Sequence, residues 1–186
     1  MTETRFSGIR LLTLPGEVMS PRPATEALVD AAAERIGDRA ALVADVGTGS
    51  GAIAVALALR APHARLWATD TSPAAVALAR ANVCRHQLGE RISVLRADLL
   101  EGIPVGLDLV VANLPYLAES LRTERPELAG EPPEAVFAPG DGGGPYRRLI
   151  KMCSQVLRPA GALVVQFHRR VLVAEASQLS ELRLAA

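Results

Sequence analysis

Along this chain, short apolar runs alternate with segments whose apolar positions recur every three to four residues. Residues 41–47, 65–70, 91–98, 107–113 and 162–167 are runs rich in Val, Leu, Ile and Ala, and each reads as a strand. Between them, residues 50–61, 72–89 and 146–157 carry the pattern of helices. The helix over 72–89 has Ser72 as its N-cap, Pro73 in its first position and Gly89 just past its end. The run 107–113 is continuously apolar, as buried parallel strands are. This alternation predicts an α/β, Rossmann-like domain: a mostly parallel twisted sheet, helices on both faces, right-handed crossovers. Ligands bind such sheets outside the carboxyl ends of the strands. Chemistry is therefore expected just after each strand.

The two ends of the chain depart from this pattern. Residues 1–37 hold "RFSGIRLLTLPGEVMS", read as a hairpin, and "PRPATEALVDAAAERIG", read as a helix opened by proline and closed by glycine. They flank the site on a domain over 38–186, the whole forming one compact unit. Residues 117–145 are rich in Pro, Gly and Glu without periodicity, and a loop that long is usually functional or mobile. Residues 159–161 read as a turn. After residue 167 only 19 residues remain, read as a helix ("RRVLVAEASQL") and a stub ("LRLAA"). The C-terminal strands would then be shortened, and 162–167 would be a bare apolar edge awaiting a second copy or another partner.

Composition narrows the classes. At 186 residues the chain can bury one good core. Lys plus Arg total 20 and Asp plus Glu total 20, which gives no basic footprint and speaks against nucleic acid as the direct substrate. The polar start lacks the apolar stretch of a signal peptide, and the longest uncharged run, 46–59, is too short to span a membrane. A soluble, cytoplasmic protein is expected. Cys84 and Cys153 read as reduced core thiols, and His63, His86 and His168 as surface or packing residues. No metal site is expected.

The chemistry begins at Asp45-Val46-Gly47-Thr48-Gly49-Ser50-Gly51, between the first strand and its helix. Glycines there let a ligand approach the backbone closely. Gly47-x-Gly49-x-x-Ala52 matches a dinucleotide fingerprint, and Asp70 falls where that motif wants its ribose-binding acid. Three further residues favour another ligand. Asp45 at the strand tip suits a cation, such as the ammonium group of S-adenosylmethionine, and would repel a pyrophosphate. Asp98 at a later strand end can accept from the amino group of an adenine. Asn113 follows the fourth strand and leads into Leu114-Pro115-Tyr116. Three acids and an amide after successive strands line one groove.

With these residues in place, the sequence resembles a class I methyltransferase, and specifically the protein-(glutamine-N5) methyltransferases that modify peptide-chain release factors. The likeness runs from about Phe6 to Phe167. "MSPRPATEALV" is close to the family's I-P-R-P-x-T-E-x-L-V, and "VADVGTGSGAIAVALA" to its L-D-L-G-T-G-S-G-x-I-x-x-x-L-A. "ATDTSPAAVALARAN" and "VLRADLL" continue it, and "EPPEAVFAPGDGGGPYRRLI" matches E-P-x-x-A-L-x-x-G-x-D-G-x-x-x-Y-R-x-I. The glycine loop is generic to many methyltransferases; the Pro-Arg-Pro and Glu-Pro…Tyr-Arg segments are far more specific.

The resemblance implies S-adenosylmethionine as cofactor and a protein substrate, a release factor or a ribosomal protein. Gly47, Thr48, Gly49, Ser50 and Gly51 would wrap the methionine part, Asp70 the ribose hydroxyls, and Asp98 and Leu99 the adenine. Asn113, Leu114, Pro115 and Tyr116 would hold the acceptor glutamine amide, with Arg22, Pro23 and Glu26 helping to close the pocket. Two departures stand out. The family usually has Asn-Pro-Pro-Tyr where this chain has Leu114 second, and Asn-Leu-Pro-Tyr is common in rRNA adenine N6-dimethyltransferases. Family members also carry an N-terminal helical domain, for which this chain has no room. Adenine methylation of RNA or DNA and a non-catalytic cofactor-binding relative stay open as alternatives.

Overall fold

The structure is a computed structural model describing residues 1–168 and 170–182 of the chain. It opens with the expected hairpin, β1 (Thr2–Phe6) and β2 (Ile9–Thr13), turned by Ser7 and Gly8 at positive φ. A 3-10 turn, Pro23–Thr25, leads into α1 (Glu26–Ile36). There follow β3 (Leu42–Val46), α2 (Ala52–Arg60), β4 (Arg65–Asp70), α3 (Pro73–Arg85), β5 (Ile92–Arg96) and β6 (Leu107–Ala112). The segment after β6 holds a two-residue strand pair, β7 (Leu117–Ala118) with β8 (Phe137–Ala138), and a one-turn helix, α4 (Pro133–Val136). The chain closes with α5 (Gly144–Val156), β9 (Leu157–Phe167) and β10 (Arg170–Glu175).

The main sheet has the order β10-β9-β6-β3-β4-β5 and is parallel except for β10. From β3 the chain builds outward through β4 to β5, then returns to lay β6 on the other side of β3. Strand order reverses between β3 and β6, which opens a crevice above their carboxyl ends. One face of the sheet is covered by a core that joins α1 and α2 with Phe6 and Leu11 of the hairpin. The other face is covered by Tyr146, Leu149 and Cys153 of α5 with Leu179 from the 3-10 turn Ala176–Glu181. α2 buries seven of its nine residues, which is why its sequence is apolar on nearly every face.

Four expectations need correction. Residues 170–175 are a strand: β10 pairs antiparallel with β9, from Arg170 opposite Phe167 to Glu175 opposite Ala162. Val171 packs against one core layer and Leu172 against the other, so alternation across a sheet, not a helical stripe, organises this segment. The edge of 162–167 is thus covered by the chain's own β10, and no second copy is needed there. Residues 183–186 of the expected stub, and Arg169 of the expected helix, lie outside the described residues. Pro159 to Gly161 are not a free turn but part of β9, where the register jumps from Leu107–Leu157 to Leu109–Ala162. α3 ends at Arg85, earlier than Gly89: Leu88 N–H reaches back to the Val83 carbonyl, Gln87 takes the positive φ of 57°, and Leu88 is buried beneath the turn. Cys84 is exposed on α3, and only Cys153 is a core thiol.

Candidate active site

The glycine loop leaves β3 over the crevice. Gly47 and Thr48 N–H both donate to the Thr69 carbonyl at 2.9 Å, which docks the loop on the tip of β4. Asp70 then ties loop to helix: its Oδ2 accepts from Gly49 N–H and its Oδ1 from Ser72 N–H, each at 2.9 Å. Gly47 sits at φ 70°, and a Cβ on it would stand 2.7 Å from Leu114 Cδ2. The loop is therefore pressed flat against the side chain of the residue that follows Asn113, and a Cβ at 47 would both strain the backbone and push that side chain aside.

Asp45 does not face the crevice. Its carboxylate is fully buried, with Oδ2 accepting from Thr48 Oγ1 at 2.6 Å and from Ala54 N–H at 3.1 Å in the first turn of α2. Burial pushes its pKa up to about 7, against those two hydrogen bonds and with help from the negative Asp70. The expectation that Asp45 itself would meet a bound ammonium group is thus altered: it braces the loop from beneath, while its Oδ1 stays buried without a partner. The side chain followed the helix N-terminus, whose free N–H groups attract a carboxylate.

The crevice holds a cavity of about 250 Å³ lined by Gly47, Gly49, Asp70, Asp98, Leu99, Asn113, Leu114 and Pro115, with Glu17, Glu134 and Arg148 among its other walls. Asp98 Oδ2 accepts from Arg148 at 2.7 Å. A small recess of about 60 Å³ adjoins the loop at Arg22, Gly47, Thr48, Gly49, Ser50 and Asn113. A further cavity of about 190 Å³ lies on the other side of Asn113, Leu114 and Pro115 and is lined also by Arg22, Thr25, Tyr116, Gln166 and His168. Asp45, Gly51, Pro23 and Glu26 line none of these three. Gly51 packs on Ala79, Pro23 starts the turn that carries Thr25, and Glu26 Oε1 accepts from Ser7 N–H at 2.8 Å, holding the hairpin.

Asn113 projects from the end of β6, with its Nδ2 donating to Thr25 Oγ1 at 3.1 Å. That contact ties the amide to the turn before α1. Leu114 N–H donates to the Tyr146 hydroxyl at 2.9 Å. The same hydroxyl lies 2.5 Å from the Gln166 carbonyl and 3.0 Å from the Leu114 carbonyl. It has one proton to give, and the shorter contact takes it, so the Leu114 carbonyl keeps its lone pairs. Tyr116 rests against Phe167 and His168, with ring centroids 5.5 and 4.7 Å apart. Arg22 donates to Glu131 Oε1 at 3.1 Å, and Ser20 N–H to Glu131 Oε2 at 3.2 Å, latching the 117–145 segment over the crevice.

Sequence reasoning missed Asn82. Its buried amide accepts from Leu12 N–H at 2.7 Å and donates to the carbonyls of Leu12 and Ser50 at 3.0 and 2.8 Å. One side chain so binds hairpin, α3 and glycine loop together. A polar residue on the buried face of a helical pattern was the available signal. Among the described residues no cluster of His, Cys, Asp or Glu could hold a metal ion, and no helix is long and apolar enough to cross a membrane.

A parallel sheet with one antiparallel edge, a glycine loop after its first central strand and acids on the next tips define the class I methyltransferase fold. The family model for the methyltransferase small domain matches residues 19–126, and the chain belongs to that family. The chain is 39% identical over 166 residues to the release factor glutamine methyltransferase of Geobacter sulfurreducens, covering 87% of this chain and 56% of that protein. It is 42% identical over 154 residues to the release factor glutamine methyltransferase of Bordetella pertussis, covering 81% of this chain and 56% of that protein. The chain thus spans little more than half the length of these relatives. Among solved structures, a ribosomal protein L11 methylase from Lactobacillus delbrueckii subsp. bulgaricus superposes with a TM-score of 0.56 at 25% identity, over 81% of this chain and 63% of that one.

Proposed function

We propose that this domain transfers a methyl group from S-adenosylmethionine to the side-chain amide nitrogen of a glutamine in a protein, namely a peptide-chain release factor. The observation that carries this reading is the wall Asn113-Leu114-Pro115, shared by two cavities. The larger suits the cofactor: Asp70, Glu17 and Glu134 on its walls, beside an Asp98 paired with Arg148, match a cationic ligand, and the flat glycine loop admits its backbone-hugging part. Asp70 already receives Gly49 and Ser72 N–H groups and retains lone pairs for ribose hydroxyls. The cofactor would supply an activated, sulfur-borne methyl group.

The smaller cavity suits a planar amide. An amide nitrogen is a poor nucleophile because its lone pair is delocalised into the carbonyl. Asn113 Oδ1 and the Leu114 carbonyl would each accept one N–H, aiming the nitrogen across the shared wall and favouring its pyramidal form as reaction proceeds. Tyr116 would lie against the amide plane. The proton can leave after transfer, so no strong base is assigned. The kinship with release factor glutamine methyltransferases over more than four-fifths of the chain supports the choice of acceptor.

The test is transfer of label from methyl-labelled S-adenosylmethionine to purified release factor, with adenine-bearing RNA and DNA in parallel. Mass spectrometry should place the methyl group on a glutamine. Labelling of nucleic acid with none on release factor would replace this reading by adenine methylation, and cofactor binding without any transfer by a non-catalytic role.

A further inference from the structure

The parallel register of β6 and β9 pairs Ala112 with Val165, so the residues that follow, Asn113 and Gln166, stand side by side at the carboxyl ends of the two strands. Both line the cavity of about 190 Å³ read as the acceptor site. Gln166 is kept out of water, at 6% exposure, and its Oε1 is buried without a hydrogen-bond partner among the described residues. A buried amide oxygen left unpaired is destabilising, and an apolar side chain would fill the same space without that cost. The backbone of Gln166 is fully committed: its carbonyl accepts from the Tyr146 hydroxyl at 2.5 Å, and β10 pairs it with Val171. Only the side-chain amide is left over. The other polar side chains on these walls are engaged, Arg22 with Glu131, Thr25 with Asn113, and Tyr116 stacked on His168.

In the proposed clamp the two N–H groups of the acceptor amide go to Asn113 Oδ1 and the Leu114 carbonyl, and nothing receives the amide's own carbonyl oxygen. We propose that Gln166 is a further substrate-binding residue, pairing edge to edge with the acceptor glutamine amide. Its Nε2–H donates to the acceptor's carbonyl oxygen, and its Oε1 accepts from the N–H on the same edge, which it shares with Leu114. Two primary amides are self-complementary in this way, because each carries a donor and an acceptor side by side. This rests on the reading of the smaller cavity as the acceptor site. A carboxylate on the substrate offers no N–H to Oε1, so Gln166 also selects amide over acid. Being neutral, it orients the carbonyl without drawing the nitrogen lone pair into it as a cation would.

The experiment compares wild type with Gln166→Leu, which is close in volume and removes both polar ends of the amide. Methyl transfer is measured at varied release factor concentration, cofactor affinity by calorimetry, and melting temperature by circular dichroism. Gln166→Leu should lower kcat/KM for release factor by roughly ten- to a hundredfold, as loss of one or two hydrogen bonds to a substrate does, with cofactor Kd within about twofold. Its melting temperature should equal or exceed that of wild type, because the substitution removes an unpaired buried oxygen. An unchanged kcat/KM, or a loss of transfer accompanied by a lower melting temperature or weaker cofactor binding, would overturn the inference while leaving the proposed reaction standing. Absence of glutamine transfer by the wild type would overturn both.

Discussion

Asp45 gives a sharp physical test, because its burial makes stability depend on pH in an unusual direction. In the unfolded chain its pKa is the ordinary 3.8, and in the folded protein burial carries it to about 7. Between those values the folded protein holds a proton that the unfolded chain has released. Stability therefore falls as pH rises through this window: the contribution is intact below 3.8 and lost by about 7. At about 1.4 kcal/mol per pH unit the loss comes to about 4 kcal/mol. Asp45→Asn keeps an oxygen that can accept from Thr48 Oγ1 and Ala54 N–H, and carries no charge at any pH. Urea unfolding of both proteins from pH 4 to pH 8 isolates the effect, since other titrating groups cancel in the difference. The variant should gain about 4 kcal/mol on the wild type across that range. A flat difference, or one that favours the wild type as pH rises, would show that Asp45 is ionised in place and refute the reasoning.

The remaining predictions concern the loop, its brace and the two thiols. Gly47→Ala should cost about 2–4 kcal/mol, from a positive φ and the 2.7 Å approach to Leu114, and weaken cofactor binding; urea unfolding and calorimetry check it. Asn82→Ala removes a fully buried amide with three backbone partners and should destabilise by about 2–4 kcal/mol, read from thermal unfolding. In the folded protein a thiol reagent should modify Cys84 and spare Cys153, which is buried and whose pKa burial pushes up to about 12; denaturant should expose both. Modification of Cys153 at the native rate of Cys84 would contradict the packing of α5.

How far these features were legible depends on whether local or distant contacts decide them. The strand tips were readable because continuous apolar runs ending in Asp45, Asp70 and Asn113 fix both element and position. The direction of the Asp45 side chain was not, since a carboxylate at a strand end is expected to seek water, and here α2's N–H groups draw it inward. "RRVLVAEASQL" contains good helix formers, yet pairing with the exposed edge of β9 outweighs local propensity. Pro159 and Gly161 promised a turn; with the neighbouring Asp108 and Arg158 paired, they instead form an irregularity within β9. Leu114 stands where the resembled family usually has proline. Its N–H is in fact the group that the buried Tyr146 hydroxyl receives, a link no spacing along the chain reveals.

The central claim is that Asn113 presents a planar amide to the methyl donor. Its most direct test is the rate of methyl transfer to release factor by wild type and by Asn113→Ala, with cofactor binding measured alongside. Asn113→Ala should lower kcat by at least about a hundredfold, with cofactor affinity retained within about tenfold. Transfer by Asn113→Ala at the wild-type rate would contradict it.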